Sequence, residues 1–175
     1  MATTYLRPST LRILTQILQP PYLSLGASAS WADAYAHTHE GHFSYPWHWI
    51  DSTDSPPTTC TLNYTSDCSH RGCVVQAIAN QTQILGKCIG DVKSGALRDG
   101  GNTTCAQALM WVLHFLGDVA QPLHASGKGA GGNLVNVTFG GKETELHAVS
   151  NAFKFIFEFP IECRCWVVSS FVKRC

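Results

Sequence analysis

The sequence predicts an all-α fold with one short β-hairpin near residues 133–142 as the exception. Three observations carry this reading. Apolar residues recur at helical spacing in three separate stretches. Prolines stand where two of those stretches end. The one clear alternation, Leu134 to Phe139, runs into a Gly140-Gly141 turn, as a hairpin does.

Taken in order, Leu11, Leu14, Ile17 and Leu18 mark a first helix that Pro20-Pro21 stops. Ser28 to Tyr35 reads as a second helix start, with Ser30 as its N-cap. His37 to Asp54 reads as irregular and aromatic, with Phe43, Tyr45, Trp47 and Trp49, and Ser55-Pro-Pro-Thr58 as a loop. Cys60 to Cys73 is loop-like. Val74, Ala77, Ile78 and Leu85 give a third helix, after which Gly86 to Gly101 reads as a loop. Leu109, Val112, Leu113 and Leu116 form the cleanest stripe, ended by Pro122. Gly127 to Gly132 reads as flexible, and a helical turn is expected over Glu143 to Asn151. No internal repeat is present.

The chain has 175 residues, 45% apolar and 14% charged, which fits one globular domain and excludes disorder by composition. Its formal net charge is zero, so nucleic-acid binding through a general basic excess is excluded and would need a local site. Eight histidines stand against twelve Lys and Arg, a high share of the commonest neutral metal ligand. Eight cysteines and four sequons, at Asn63, Asn80, Asn102 and Asn136, suggest a glycosylated protein of an oxidising compartment. Several cysteines as free core thiols is the plainer alternative. The start, Met1 to Pro8, has no continuous apolar segment and does not read as a signal peptide. No stretch reaches the length of a membrane span.

The strongest local pattern is His114-Phe-Leu-Gly-Asp118-Val-Ala-Gln-Pro-Leu-His124. His114 and Asp118, four apart on a helix, share one face. An imidazole and a carboxylate on one face suit zinc, and beyond Pro122 the chain can turn His124 back to a nearby ion. A lone His–Asp pair is more often a surface pair or a satisfied core hydrogen bond. Asp33, His48 and His147 sit in aromatic or apolar contexts and need partners that offset desolvation. A metal cluster would satisfy several at once; separate buried hydrogen bonds would satisfy each singly.

Several blocks now stand in one order: Ser30-Trp-Ala-Asp33, His48-Trp-Ile-Asp51, Ala77-Ile-Ala-Asn80, His114 to Asp118, Gln121-Pro-Leu-His124, Gly131-Gly-Asn133, Asn136-Val-Thr-Phe139 and Leu146-His147. In that order the chain resembles the zinc-dependent, single-strand-specific nucleases of fungi and plants (the nuclease S-one/P-one type). The resemblance runs over roughly 11–147. It implies an all-α domain related in fold to zinc-dependent phospholipase C. It implies three zinc ions in the family and fewer here, and cleavage of single-stranded RNA and DNA to nucleoside 5′-phosphates with 3′-nucleotidase activity. Nucleotides are implied as further partners, a monomer is expected, and secretion is implied by family, sequons and cysteines together.

Position by position, the resemblance makes Asp33, His48 and His114 ligands of one zinc. It makes Asp118 a bridge to a second, and His124 and His147 ligands of a third. Asp33 takes the catalytic place that orients the attacking water. Trp49 and Asp51 match the positions that stack a base and bind its edge, where the family usually has Phe at the first; plain core packing is the alternative for Trp49. Cys68 and Cys73 match a small-loop disulfide, Cys60 matches a cysteine paired elsewhere in the family, and Asn80 and Asn136 match glycosylation positions.

The chain also departs from the pattern. The family's N-terminal Trp and the His that follows have no counterpart near Met1. Asn151 stands where the family has Asp, and the resemblance stops near Ser150. Expected organisation is therefore a start outside the family pattern at 1–10, an incomplete nuclease domain at 11–151 and a non-family tail at 152–175. With those ligands missing, weak or absent turnover is expected of the chain as written. A phospholipase C-like zinc phosphodiesterase, or an inactive secreted glycoprotein that keeps the fold, are the alternatives.

Overall fold

A computed structural model describes residues 5–18, 24–52, 58–59, 61–68, 70–97 and 102–152. These are mostly helical, with one two-stranded antiparallel hairpin, as the sequence predicts. Pro20-Pro21, residues 55–57, Cys60 and the tail after Ala152 lie outside the described residues. The chain divides into two compact units: Met1–Tyr45 with Val75–Gly117, and Pro46–Val74 with Asp118–Cys175.

The first unit is built on helices. Helix α1 (Pro8–Ile17) starts on a proline whose missing N–H costs nothing in the first turn. Helix α2 (Leu25–Ser28) is capped by Ser24, whose hydroxyl accepts from the Ala27 N–H at 3.1 Å. Helix α3 (Trp31–Ala36) follows at once. Ser30 precedes it, but its side chain makes no capping bond and its backbone is already helical, which corrects the expected N-cap. Helix α5 (Val74–Ser94) and helix α6 (Thr103–Ala120) supply the long elements. Ile17, Leu18, Leu25, Leu85, Cys88, Cys105, Ala108, Leu109 and Met110 form the core. Each fully buried large aliphatic side chain there contributes roughly 1.5–3 kcal/mol. Of the expected apolar stripe of α6, Leu109 is buried and Val112 and Leu113 pack partly buried against the core, beside Cys105 and Ala108, while Leu116 is 52% exposed.

Two expectations fail in this unit for physical reasons. Gly86 and Gly90 do not end α5; both are exposed, and an isolated glycine costs a helix only about 1 kcal/mol, which the packed face of Leu85 and Cys88 offsets. A disulfide between Cys88 and Cys105 then ties α5 to α6, with Cα atoms 5.8 Å apart. Closing a loop of 17 residues stabilises the fold by about 3 kcal/mol in the chain-entropy account. The aromatic stretch after His37 is not irregular either: His42–His48 is a 3-10 helix with Pro46 inside it. Gly41 launches it. A Cβ there would overlap the Tyr35 carbonyl, and the Gly41 carbonyl accepts from both the backbone N–H and the hydroxyl of Ser44.

The second unit is a set of short elements. Helix α4 (Tyr64–Asp67) lies where a loop was expected. Asn63 caps it by accepting from Thr65 and Ser66, and Asp67 reciprocates by accepting from the Asn63 N–H at 2.8 Å. Cys68 and Cys73 are disulfide-bonded directly after it, Cα atoms 5.1 Å apart. A second 3-10 helix, Pro122–Ala125, is capped by the Gln121 side chain. Strands β1 (Asn136–Phe139) and β2 (Lys142–Glu145) pair through a Gly140-Gly141 turn with both residues at positive φ. The hairpin thus ends at 145 rather than 142, and β2 takes residues expected to be helical. Helix α7 (Leu146–Ala152) follows, held at its start by Leu146 N–H to Val135 O (2.8 Å) and His147 N–H to Gly132 O (3.3 Å). Among the described residues no helix is long and apolar enough to cross a membrane.

Candidate metal centre

In the first unit, one histidine and one aspartate are brought together. His114 lies on α6 and Asp33 in the first turn of α3, where a carboxylate is favoured by the helix dipole. His114 Nδ1 is 2.7 Å from the Ala29 carbonyl oxygen. A carbonyl only accepts, so Nδ1 carries the proton and Nε2 of the neutral ring carries the lone pair. That lone pair faces Asp33 Oδ1 at 3.2 Å. Two acceptors so close repel unless a cation lies against both: a second proton on the ring, or a metal ion. Zinc bonds of about 2.0–2.2 Å set tetrahedral ligand atoms about 3.3–3.6 Å apart, close to the spacing seen. The His114 side chain is largely buried while Asp33 is open to solvent.

In the second unit, Asp118 is the hub. It is 1% exposed, and its Oδ2 accepts from His48 Nδ1 at 3.1 Å. His124 Nδ1 lies 3.9 Å from Oδ1 and donates instead to the His48 carbonyl at 2.8 Å. The His147 ring stands 4.9 Å from that of His124, and His147 Nδ1 donates to the Gly131 carbonyl at 2.7 Å. All four histidines therefore hold the proton on Nδ1 against an oxygen, the tautomer in which Nε2 is the metal donor. Gly131 is at φ 64°, and a Cβ there would come within 2.7 Å of the Leu123 carbonyl oxygen. Glycine is required to bring this carbonyl beneath the His147 ring. The stretch expected to be flexible is a run of turns that includes this support.

Asn151 Oδ1 accepts from Gln121 Nε2 at 2.9 Å, and Gln121 Oε1 accepts the Leu123 N–H. Gln121 thereby joins Asn151 to the 3-10 helix that carries His124. The segment of Trp49 and Asp51 is fixed by Val74 N–H to Trp49 O (3.0 Å) and Ile50 N–H to His124 O (2.8 Å). The Asp51 carboxyl is raised above its ordinary 3.8, chiefly by burial, while a hydrogen bond from the Trp49 side chain pulls the other way. Its residue is exposed as a whole, so desolvation by its neighbours is partial.

The orienting roles of Gln121 and of the carbonyls of Ala29, His48 and Gly131 are not legible in the sequence. Main-chain groups leave no mark in side-chain pattern; Gly131-Gly132 was the one available sign. Asn80 and Asn136 are exposed. Asn63 and Asn102 lend their amide oxygens to helix starts, the latter accepting from Thr104 N–H at 2.8 Å. Taken together, the described residues include a group of histidine and aspartate side chains able to hold a metal ion.

Comparison with known proteins gives these features a family context. The family model described as S1/P1 Nuclease matches residues 1–152. The chain is similar to Nuclease S1 of Aspergillus oryzae, 37% identical over 150 residues, which covers 85% of this chain and 48% of that one. It is 42% identical over 124 residues to Nuclease P1 of Penicillium citrinum, covering 71% and 42% respectively. It is 29% identical over 160 residues to Endonuclease 4 of Arabidopsis thaliana, covering 85% and 50%. The chain thus spans about half the length of the curated relatives it matches.

Proposed function

The chain belongs to the S1/P1 nuclease family, and from that premise we propose that its site hydrolyses phosphodiester bonds of single-stranded RNA and DNA with the help of zinc, releasing nucleoside 5′-phosphates and also removing 3′-phosphates from nucleotides. The observation that carries this reading is the His114 ring, whose lone-pair nitrogen is aimed at the Asp33 carboxylate.

Asp33, His48 and His114 are proposed to hold one zinc; Asp118, His124 and His147 stand where the resemblance puts ligands of further zinc ions, of which fewer are expected here than in the family. The donor set suits zinc: neutral imidazole Nε2 atoms and carboxylate oxygens, with each Nδ1–H oriented by an oxygen behind it. Zinc held by these residues would supply a water acidified enough to furnish hydroxide near neutral pH, and positive charge against the phosphate. The exposed Asp33 carboxylate accepts a hydrogen bond from the attacking water and aims it. Asp118, buried, keeps the His48 ring in its donor orientation. Trp49 stacks an unpaired base, and Asp51 binds that base's edge. In a duplex the base is already stacked and paired, so single-strand preference follows. Exposed Asn80 and Asn136 and the Cys68–Cys73 and Cys88–Cys105 disulfides support an exported glycoprotein. The Trp49–Asp51 pair favours nucleotides over the phospholipid substrates of a phospholipase C-like enzyme.

The test is hydrolysis of single-stranded against duplex DNA, with zinc and then with a chelator. Single-strand cleavage that disappears on chelation supports the reading. Equal cleavage of duplex, or cleavage indifferent to chelation, overturns it.

A further inference from the structure

On the 3-10 helix that leads to His48 lies an aromatic group with no role in the reading above. A 3-10 helix has three residues per turn, so His42, Tyr45 and His48 share one edge of the His42–His48 helix. His48 is buried, but Tyr45 is 43% exposed and His42 is exposed. The His42 ring stacks on Tyr45 at 5.9 Å with 27° between the planes, and His37 meets Tyr45 edge-on at 5.7 Å. Phe43, the neighbour, is 53% exposed. Large aromatic rings left at the surface and held in fixed orientation are suited to receive another flat ring at little ordering cost.

We propose that Tyr45 and His42 form a second stacking platform for single-stranded nucleic acid, occupied by an unpaired base of a bound strand. This rests on the single-strand reading above and extends it. A net-neutral chain offers no general basic excess with which to track a strand, and ring stacking supplies contact that is tolerant of base identity. The occupant is a nucleobase rather than an aliphatic or charged group because the surface offered is a set of flat rings.

The experiment measures affinity of the full chain for a fluorescent single strand of about ten thymidylates with uncleavable linkages, within the usual length for such sites. Tyr45→Ala is expected to weaken binding about tenfold, as loss of one base stack does, with the salt slope unchanged because no phosphate contact is lost. Tyr45→Phe keeps the ring face and should restore wild-type affinity. His42→Ala, at an exposed position that the fold does not depend on, should give a smaller loss of about two- to threefold. Unaltered affinity in Tyr45→Ala and His42→Ala overturns the platform while leaving the nuclease reading intact, as does a Tyr45→Phe as weak as Tyr45→Ala. A wild-type chain that does not bind the strand at all overturns the nuclease reading itself.

Discussion

His114 Nε2 stands 3.2 Å from Asp33 Oδ1 while the other nitrogen of the same ring is committed to the Ala29 carbonyl. Ala29 and Asp33 lie four residues apart on one stretch of chain, so a single turn both fixes the ring's tautomer and presents the carboxylate to its lone pair. Such a pair is poorly satisfied by itself and well satisfied around a cation. Asp33→Asn should therefore weaken zinc binding by at least ~10–100-fold. The zinc-free protein, with an exposed position changed, should keep its stability within about 0.5 kcal/mol. Metal competition and thermal unfolding of the chelated protein check the two halves; equal zinc affinity in mutant and wild type would sink the assignment.

Asp118 is a different case because it is buried beneath His48. Asp118→Ala leaves the His48 Nδ1–H without its acceptor in a dry site, and a stability loss of about 1.5–3 kcal/mol is expected even without metal. Asp118→Asn, which can still accept, should lose less. Urea unfolding of both variants decides the matter, and a neutral Asp118→Ala would mean that the pair does no structural work.

Gly131→Ala should act at a distance from any ligand atom. Its positive φ and the nearby Leu123 carbonyl both oppose a Cβ, so a loss of about 1–2 kcal/mol is expected. The shift of the Gly131 carbonyl would also free the His147 ring, lowering metal affinity at that histidine. Nitrogen chemical shifts of the imidazole report whether Nδ1 still holds the proton. An unchanged His147 tautomer would contradict the supporting role.

The pH prediction concerns Asp51. Its folded-state pKa is raised above the unfolded value, so the folded state binds the proton more tightly. Its contribution to stability is fully present below the unfolded pKa and is lost as pH rises through the folded one. Wild type minus Asp51→Asn stability should therefore decline from strongly acid pH up through the raised value, then level off. A difference that is flat or that grows with pH would show the sign to be wrong.

What the sequence made legible, and what it hid, follows from the kind of signal each feature leaves. Leu11, Leu14 and Ile17 announced α1, and Gly140-Gly141 announced the hairpin, because apolar period and positive φ are written in residue type. The ordered run of Asp33, His48, His114, Asp118, His124 and His147 is readable only as a candidate ligand set, from residue type and order. The persistence of α5 through Gly86 and Gly90 was not, since packing of the opposite face decides it. Nor was the 3-10 helix through Pro46, whose side chains suggested only an aromatic loop. The Cys88–Cys105 bond could not be chosen among the many pairings that eight cysteines permit. The carbonyls that orient His114, His124 and His147 belong to the backbone and have no sequence signature.

The measurement that bears most directly on the whole account is zinc content per folded chain. Purified protein and its His114→Ala variant are dialysed against trace zinc, their folding checked by circular dichroism, and the metal counted. The account predicts tightly held zinc in the wild type, with the ion at Asp33 missing from a His114→Ala variant that remains folded. A folded wild type that retains no zinc, or a variant that retains as much as the wild type, would contradict it.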